Sequence, residues 1–152
     1  MRGGLLAGLV VVALVGAACG DDDDADSAPT SGPVTIESEV DFTGDMPIGS
    51  FEVTEGADVL GCAAGTFTDP GRTDEGVTNI LICESCSRGG SFSILFDLQE
   101  NAAVPGEFAA PWSITASTQD FVGLQGEGDM SFTFESETTG ISTFTGTIEF
   151  GP

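Results

Sequence analysis

The chain has 152 residues and carries 25 acidic side chains against Arg2, Arg72 and Arg88, with no Lys, His or Tyr. So acidic a surface repels the phosphates of nucleic acid and anionic lipid headgroups, which argues against both as partners. Without His there is no Ser-His-Asp arrangement, and without Lys there is no Schiff-base chemistry.

The N-terminus places Arg2 before an uncharged, mostly apolar run over residues 3–18, which leaves through Gly16-Ala17-Ala18. One basic residue, a short apolar stretch and a small-residue exit make a secretory signal over residues 1–18. The run falls short of the roughly 20 residues that span a bilayer, so removal is expected rather than permanent insertion. Gly16-Ala17-Ala18-Cys19 resembles the lipobox of bacterial lipoproteins. That resemblance implies that the Cys19 thiol receives diacylglycerol and that cleavage precedes it. The mature protein is then expected outside the cell, held to the outer face of the cell membrane by its acyl chains. Each buried CH₂ of such a chain contributes about 0.8 kcal/mol to anchoring.

Residues 19–33 follow with Asp21-Asp22-Asp23-Asp24, then Ala, Ser, Pro, Thr and Gly. This composition buries no apolar surface, and its like charges repel one another, so it reads as a disordered tether. A calcium site needs six to eight converging oxygens, which four adjacent Asp in a flexible segment do not arrange.

Residues 34–152 form one domain, long enough to bury its own core. Its apolar residues recur with a period of two, the signature of half-buried strands. Val34, Ile36, Ser38, Val40 and Phe42 share one face, opposed by Glu37, Glu39 and Asp41. Phe51 and Val53 repeat the pattern, and a small-residue strand is expected over residues 59–69. Residues 77–83 make a fourth strand, and Phe92, Ile94, Phe96 and Leu98 form the clearest stripe. Trp112, Ile114 and Ala116 line a sixth strand, and Met130, Phe132 and Phe134 a seventh. The turn Thr138-Thr139-Gly140 leads to the eighth, with Phe144, Gly146, Ile148 and Phe150. No 3.6-residue stripe long enough for a helix appears. About eight short antiparallel strands predict an all-β domain, a closed barrel with a sandwich as the alternative. Closure would remove the edges that a Phe-rich strand protein must protect.

The stretch from Ser117-Thr118-Gln119 through Phe121, Gly123, Gly126 and Gly128, followed by Phe144-Thr145-Gly146-Thr147-Ile148, resembles dirigent and allene-oxide-cyclase-like barrels and their secreted bacterial relatives. Two glycines of that family's opening triplet are Ser117 and Gln119 here. The resemblance implies a barrel able to hold a small lipophilic molecule, or to act as an isomerase by shaping one.

Cys19, Cys62, Cys83 and Cys86 are the four cysteines. With Cys19 acylated, three thiols remain in an oxidising compartment, and one is left over. Folding the third strand back on the fourth brings Cys62 close to the turn bearing Cys83 and Cys86, so a bridge to either one is expected. Cys83-Glu84-Ser85-Cys86 has C-x-x-C spacing, but the chain offers no helix start to activate a thiol. Zinc would find three thiols and no His.

The acidic residues fall opposite the Phe stripes, so the expected interior holds no ionisable group, and no catalytic residue, cofactor or metal ligand is identified. The leading expectation is a non-catalytic cell-envelope lipoprotein that displays its barrel for protein interaction or envelope structure. The alternatives are a carrier of a small lipophilic ligand, or a dirigent- or cyclase-like isomerase. A filled interior favours the first, and a cavity of roughly 300 Å³ or more the others.

Overall fold

The computed structural model describes residues 29–84, 87–100 and 104–152. The signal segment, Cys19, the Asp run at 21–24 and Cys86 lie outside the described residues. The described residues form ten strands in chain order: β1 (Ser31–Asp41), β2 (Ile48–Glu55), β3 (Ala64–Thr68), β4 (Arg72–Thr73), β5 (Gly76–Cys83), β6 (Gly90–Phe96), β7 (Gln99–Glu100), β8 (Glu107–Ser117), β9 (Leu124–Phe134) and β10 (Thr139–Phe150). A one-turn helix, α1 (Ala57–Leu60), and a 3₁₀ turn at Gln119–Phe121 interrupt them.

Eight of these strands close an up-and-down antiparallel barrel in the order β1-β2-β3-β5-β6-β8-β9-β10, with β10 returning to β1 and the short β4 and β7 outside it. The seam between β3 and β5 needs Gly65, because a Cβ there would lie 2.0 Å from the Ile82 carbonyl oxygen. Eight strands leave an interior just wide enough for side chains or one small ligand.

The period-two reading decides what fills that interior. Val34, Ile36, Phe51, Val53, Phe92, Ile94, Phe96, Trp112, Met130, Phe132, Phe144 and Ile148 are all buried, while Glu37, Glu39, Glu52, Asp97 and Glu149 face solvent. Trp112 needs unusual room. Gly128 and Gly146 sit opposite each other in the β9–β10 ladder, and a Cβ on Gly146 would lie 2.8 Å from the indole. The indole N–H donates to the carbonyl oxygens of Asp129 and Thr145, both at 3.2 Å, so its polar atom is satisfied inside the wall.

Several expectations need correction. The first strand begins at Ser31, inside the stretch read as tether, because Gly32 and Pro33 pair with Ile148 and Thr147 of β10. Pro33 is tolerated there since pairing with β2 starts only at Thr35, leaving that edge of β1 open. Val59 and Leu60 belong to α1 rather than to the third strand, and a single turn is too short to show helical periodicity. A bulge in the β6–β8 ladder lets Ser93 and Ile94 face Ala116 and Ile114, skipping Thr115. The extra residue turns Ala116 out to solvent, against the expected inward stripe. Phe134 is 53% exposed, because β9 has passed the end of the barrel by the time it is reached. Leu98, beyond the end of β6, is only half-buried.

Candidate functional site

The two ends of the barrel are built differently. One end is sealed. Val59 and Leu60 of α1 and Phe121 of the 3₁₀ turn are buried in the core, and the Phe121 ring packs on Phe92 with centroids 5.3 Å apart. Cys62 and Cys83 form a disulfide at this end, with Cα atoms 5.9 Å apart and a separation of 21 positions in sequence. That resolves the pairing left open by the sequence in favour of Cys83. Outside the plug, the Arg88 guanidinium lies 3.9 Å from the Phe150 ring centroid and donates to the Asp120 carbonyl oxygen.

The other end is open, and it holds the candidate site. A cavity of about 260 Å³ lies there, walled by Val40, Phe42, Val77, Phe96, Leu98, Phe108, Phe132 and Phe134. The sequence reading explains how so many aromatics meet. The inward stripes of β1, β6, β8 and β9 all run out at this end, so their last members gather around the mouth. Phe132 and Phe134 stand edge to face at 4.8 Å, and Phe42 and Phe108 each contact both of them. Such pairs hold one another in place and line the mouth with ring faces and edges.

Four polar residues complete the cavity. Asn79 of β5 and Ser142 of β10 are 4% and 2% exposed, and both point inward from strands on opposite sides of the barrel. Neither side chain makes a hydrogen bond to a described residue, yet no fully sealed side-chain polar atom among the described residues lacks a partner. Their polar atoms therefore keep their contact with the cavity rather than with protein. At the rim, Arg72 of β4 pairs with Asp97 in an exposed ion pair. Asp69 accepts the Gly71 N–H at 2.8 Å, but burial outweighs that bond and raises its carboxyl above the usual value of 3.8.

A wider trough of about 810 Å³ crosses the outer face of β1, β10, β9 and β8. Its lining includes the exposed Ser31, Pro33, Gln125, Glu127, Thr147 and Glu149, a solvated acidic surface rather than an enclosed site. Among the described residues, no three His, Cys, Asp or Glu side chains gather to hold a metal ion, and no helix is long and apolar enough to cross a membrane.

Cys62 and Cys83 are thus where the sequence expected a bridge, while Cys19 and Cys86 lie outside the described residues. Sequence reading missed Asn79, Ser142, Asp69 and Arg72. The first two carried a usable signal. Asn79 shares the parity of Val77 and Leu81, and Ser142 that of Phe144 and Ile148, so each is a polar residue on an apolar stripe.

The glycine-rich stretch behind the dirigent-like resemblance forms the end of β8, the 3₁₀ turn and the start of β9. Gln119 in that turn adopts φ 53, the left-handed conformation that glycine takes without cost. Comparison with models of protein families, with curated proteins and with solved structures finds no match.

Proposed function

We propose that this chain is a non-catalytic, lipid-anchored lipoprotein of the bacterial cell envelope whose barrel binds a small lipophilic molecule in its open mouth. The observation that carries this reading is the aromatic cavity of about 260 Å³, open at one end of an otherwise filled and stapled barrel. At about 260 Å³ it falls short of the roughly 300 Å³ expected of a carrier, so its aromatic lining rather than its size favours a ligand, and that ligand is a small one. A barrel serving only to present its outer surface gains nothing from an unfilled interior, since each void forfeits packing contacts.

Anchoring rests on the lipobox-like Gly16-Ala17-Ala18-Cys19 and on the acidic stretch that follows it. β1 begins at the sealed end, because Ser31 pairs with Glu149, so the tether joins the barrel at the end away from the mouth. The mouth is then presented away from the anchor. Binding without catalysis fits a cavity at which the ionisable groups among the described residues, Asp69 and Arg72, stand at the rim. Display for protein contact is the second reading, supported by the exposed Met46, Ile48, Val104 and Phe134 around the same mouth.

Binding is tested by titrating the full chain with naphthalene and following its melting temperature. A ligand that binds only the folded state stabilises it by about 2.7 kcal/mol at a hundredfold excess over Kd. The wild type should show a saturating rise, and Val77→Trp, which fills the mouth, should show none. A wild type that does not respond would return the reading to protein display.

A further inference from the structure

We propose that the mouth takes a molecule with an apolar body and one neutral hydrogen-bonding group, and that this group enters first and seats on Asn79 and Ser142. The inference rests on the ligand-binding reading above and specifies its ligand class.

An amide and a hydroxyl buried to 4% and 2% exposure lose bulk water, and buried polar groups almost always recover partners. Here no described residue supplies one, and both groups line the cavity. Whatever fills the floor must therefore bring its own hydrogen-bonding atom. The amide both donates and accepts, as does the hydroxyl, so a ligand hydroxyl, carbonyl or amide can satisfy them. Asn79 and Ser142 stand on β5 and β10, four strands apart in the ring of eight, so they meet a ligand group from opposite sides.

Charge decides against an ionised group. Among the described residues, the one cationic side chain lining the cavity is Arg72, which sits at the rim and is already paired with Asp97. A carboxylate at the floor would be buried without a counter-charge, which is strongly unfavourable. A carboxylate held at Arg72 would leave its apolar body to point inward and the floor unsatisfied. The apolar lining beside them includes Phe96, Phe108 and Phe132, which suit an aromatic or aliphatic body of one or two rings. Ordered water could bridge Asn79 and Ser142 in place of a ligand group, and the experiment separates that case.

The test is equilibrium dialysis of the full chain at pH 7 against naphthalene, 2-naphthol and 2-naphthoate, which share a body and differ in the polar end. In the wild type, 2-naphthol should bind about three- to tenfold more tightly than naphthalene, the effect of one net hydrogen bond, and 2-naphthoate most weakly. In the double variant Asn79→Leu/Ser142→Ala, 2-naphthol should fall to the level of naphthalene while naphthalene binds as well as before or better. A role confined to fold stability would weaken all three probes alike. Equal binding of naphthalene and 2-naphthol by the wild type would mean that water holds the floor, and would overturn the inference. So would a preference that survives the double variant, or tightest binding of 2-naphthoate. Binding of none of the three would instead defeat the ligand-binding reading itself. Where the double variant loses its fold, Ser142→Ala alone is measured, and it must lower the preference at least twofold.

Discussion

The sealed end and the open end of this barrel are made from the same alternating strands, yet they solve opposite problems. At the sealed end, α1, Phe121 and the Cys62–Cys83 bridge fill and staple the interior, so inward side chains meet other apolar side chains. At the open end no described residue crosses the barrel, and Phe42, Leu98, Phe108 and Phe134 surround a cavity instead of a plug. Identical patterning therefore yields a packed core or a site, depending on whether the connecting segment turns inward. The β2–β3 connection turns inward through α1. The β1–β2 connection at the other end stays outside, with Met46 exposed.

The largest contrast is expected between aromatic residues at the two ends. Phe92→Ala removes a ring that is 1% exposed and packed on Phe121, and should cost about 3–5 kcal/mol through lost burial and the remaining cavity. Phe134→Ala removes a ring that is 53% exposed, and should cost about 1 kcal/mol or less. Urea denaturation of both variants checks the pair, and equal losses would erase the distinction between the ends.

The staple comes next. Replacing Cys62 and Cys83 together by Ala should cost about 2–5 kcal/mol, the usual effect of removing a native bridge from a small secreted domain. Because the bridge closes the sealed end only, affinity for naphthalene at a temperature where the variant remains folded should change little. A large loss of binding would show that the two ends are coupled.

How much of this was legible in the sequence depends on what kept the period of two. Where alternation is unbroken, as in residues 34–42 and 92–96, the buried face and the acidic outer face follow directly. It failed at Ala116, because a bulge adds a residue without leaving a compositional mark. It also failed at Val59 and Leu60, since four residues of helix cannot establish a 3.6-residue period. The bridge was visible as a choice of two partners, because the expected pairing of the third and fourth strands left Cys83 and Cys86 both as candidates for Cys62. The mouth was the least legible feature. Each Phe around it reads as core, and only a structure shows that no described segment caps the barrel there. Asn79 and Ser142 were visible as polar breaks in apolar stripes, but a polar break has no meaning until the space in front of it is known.

A smaller effect is expected from backbone strain at the sealed end. Gln119 holds a left-handed φ of 53 for which a side chain costs about 1 kcal/mol, while glycine also loosens the unfolded chain. Gln119→Gly should therefore stabilise the domain by about 0.5 kcal/mol, read as a higher denaturation midpoint at unchanged slope. Destabilisation would mean that the Gln119 side chain contributes more than its backbone costs.

The smallest effect belongs to the open end and depends on pH. Burial raises the Asp69 pKa in the folded state, so the folded protein binds this proton more readily than the unfolded chain does. Its contribution is most favourable below the ordinary carboxylate value of 3.8 and is lost as pH rises through the raised folded value. Asp69→Asn keeps an oxygen to accept the Gly71 N–H and removes the titration. The variant should gain at most about 0.5 kcal/mol over wild type at pH 7, and nothing at pH 3, since the site is partly solvated. A gain that is equal at both pH values would assign the effect to something other than this proton.

The most direct measurement of the difference between the ends is an anomalous-scattering map from crystals of the full chain soaked in 2-bromonaphthalene. The account predicts one bromine peak in the mouth, among Phe96, Phe108 and Phe132, and none near Phe92 and Phe121 at the sealed end. An empty mouth, or a bromine site beside Phe121, would contradict it.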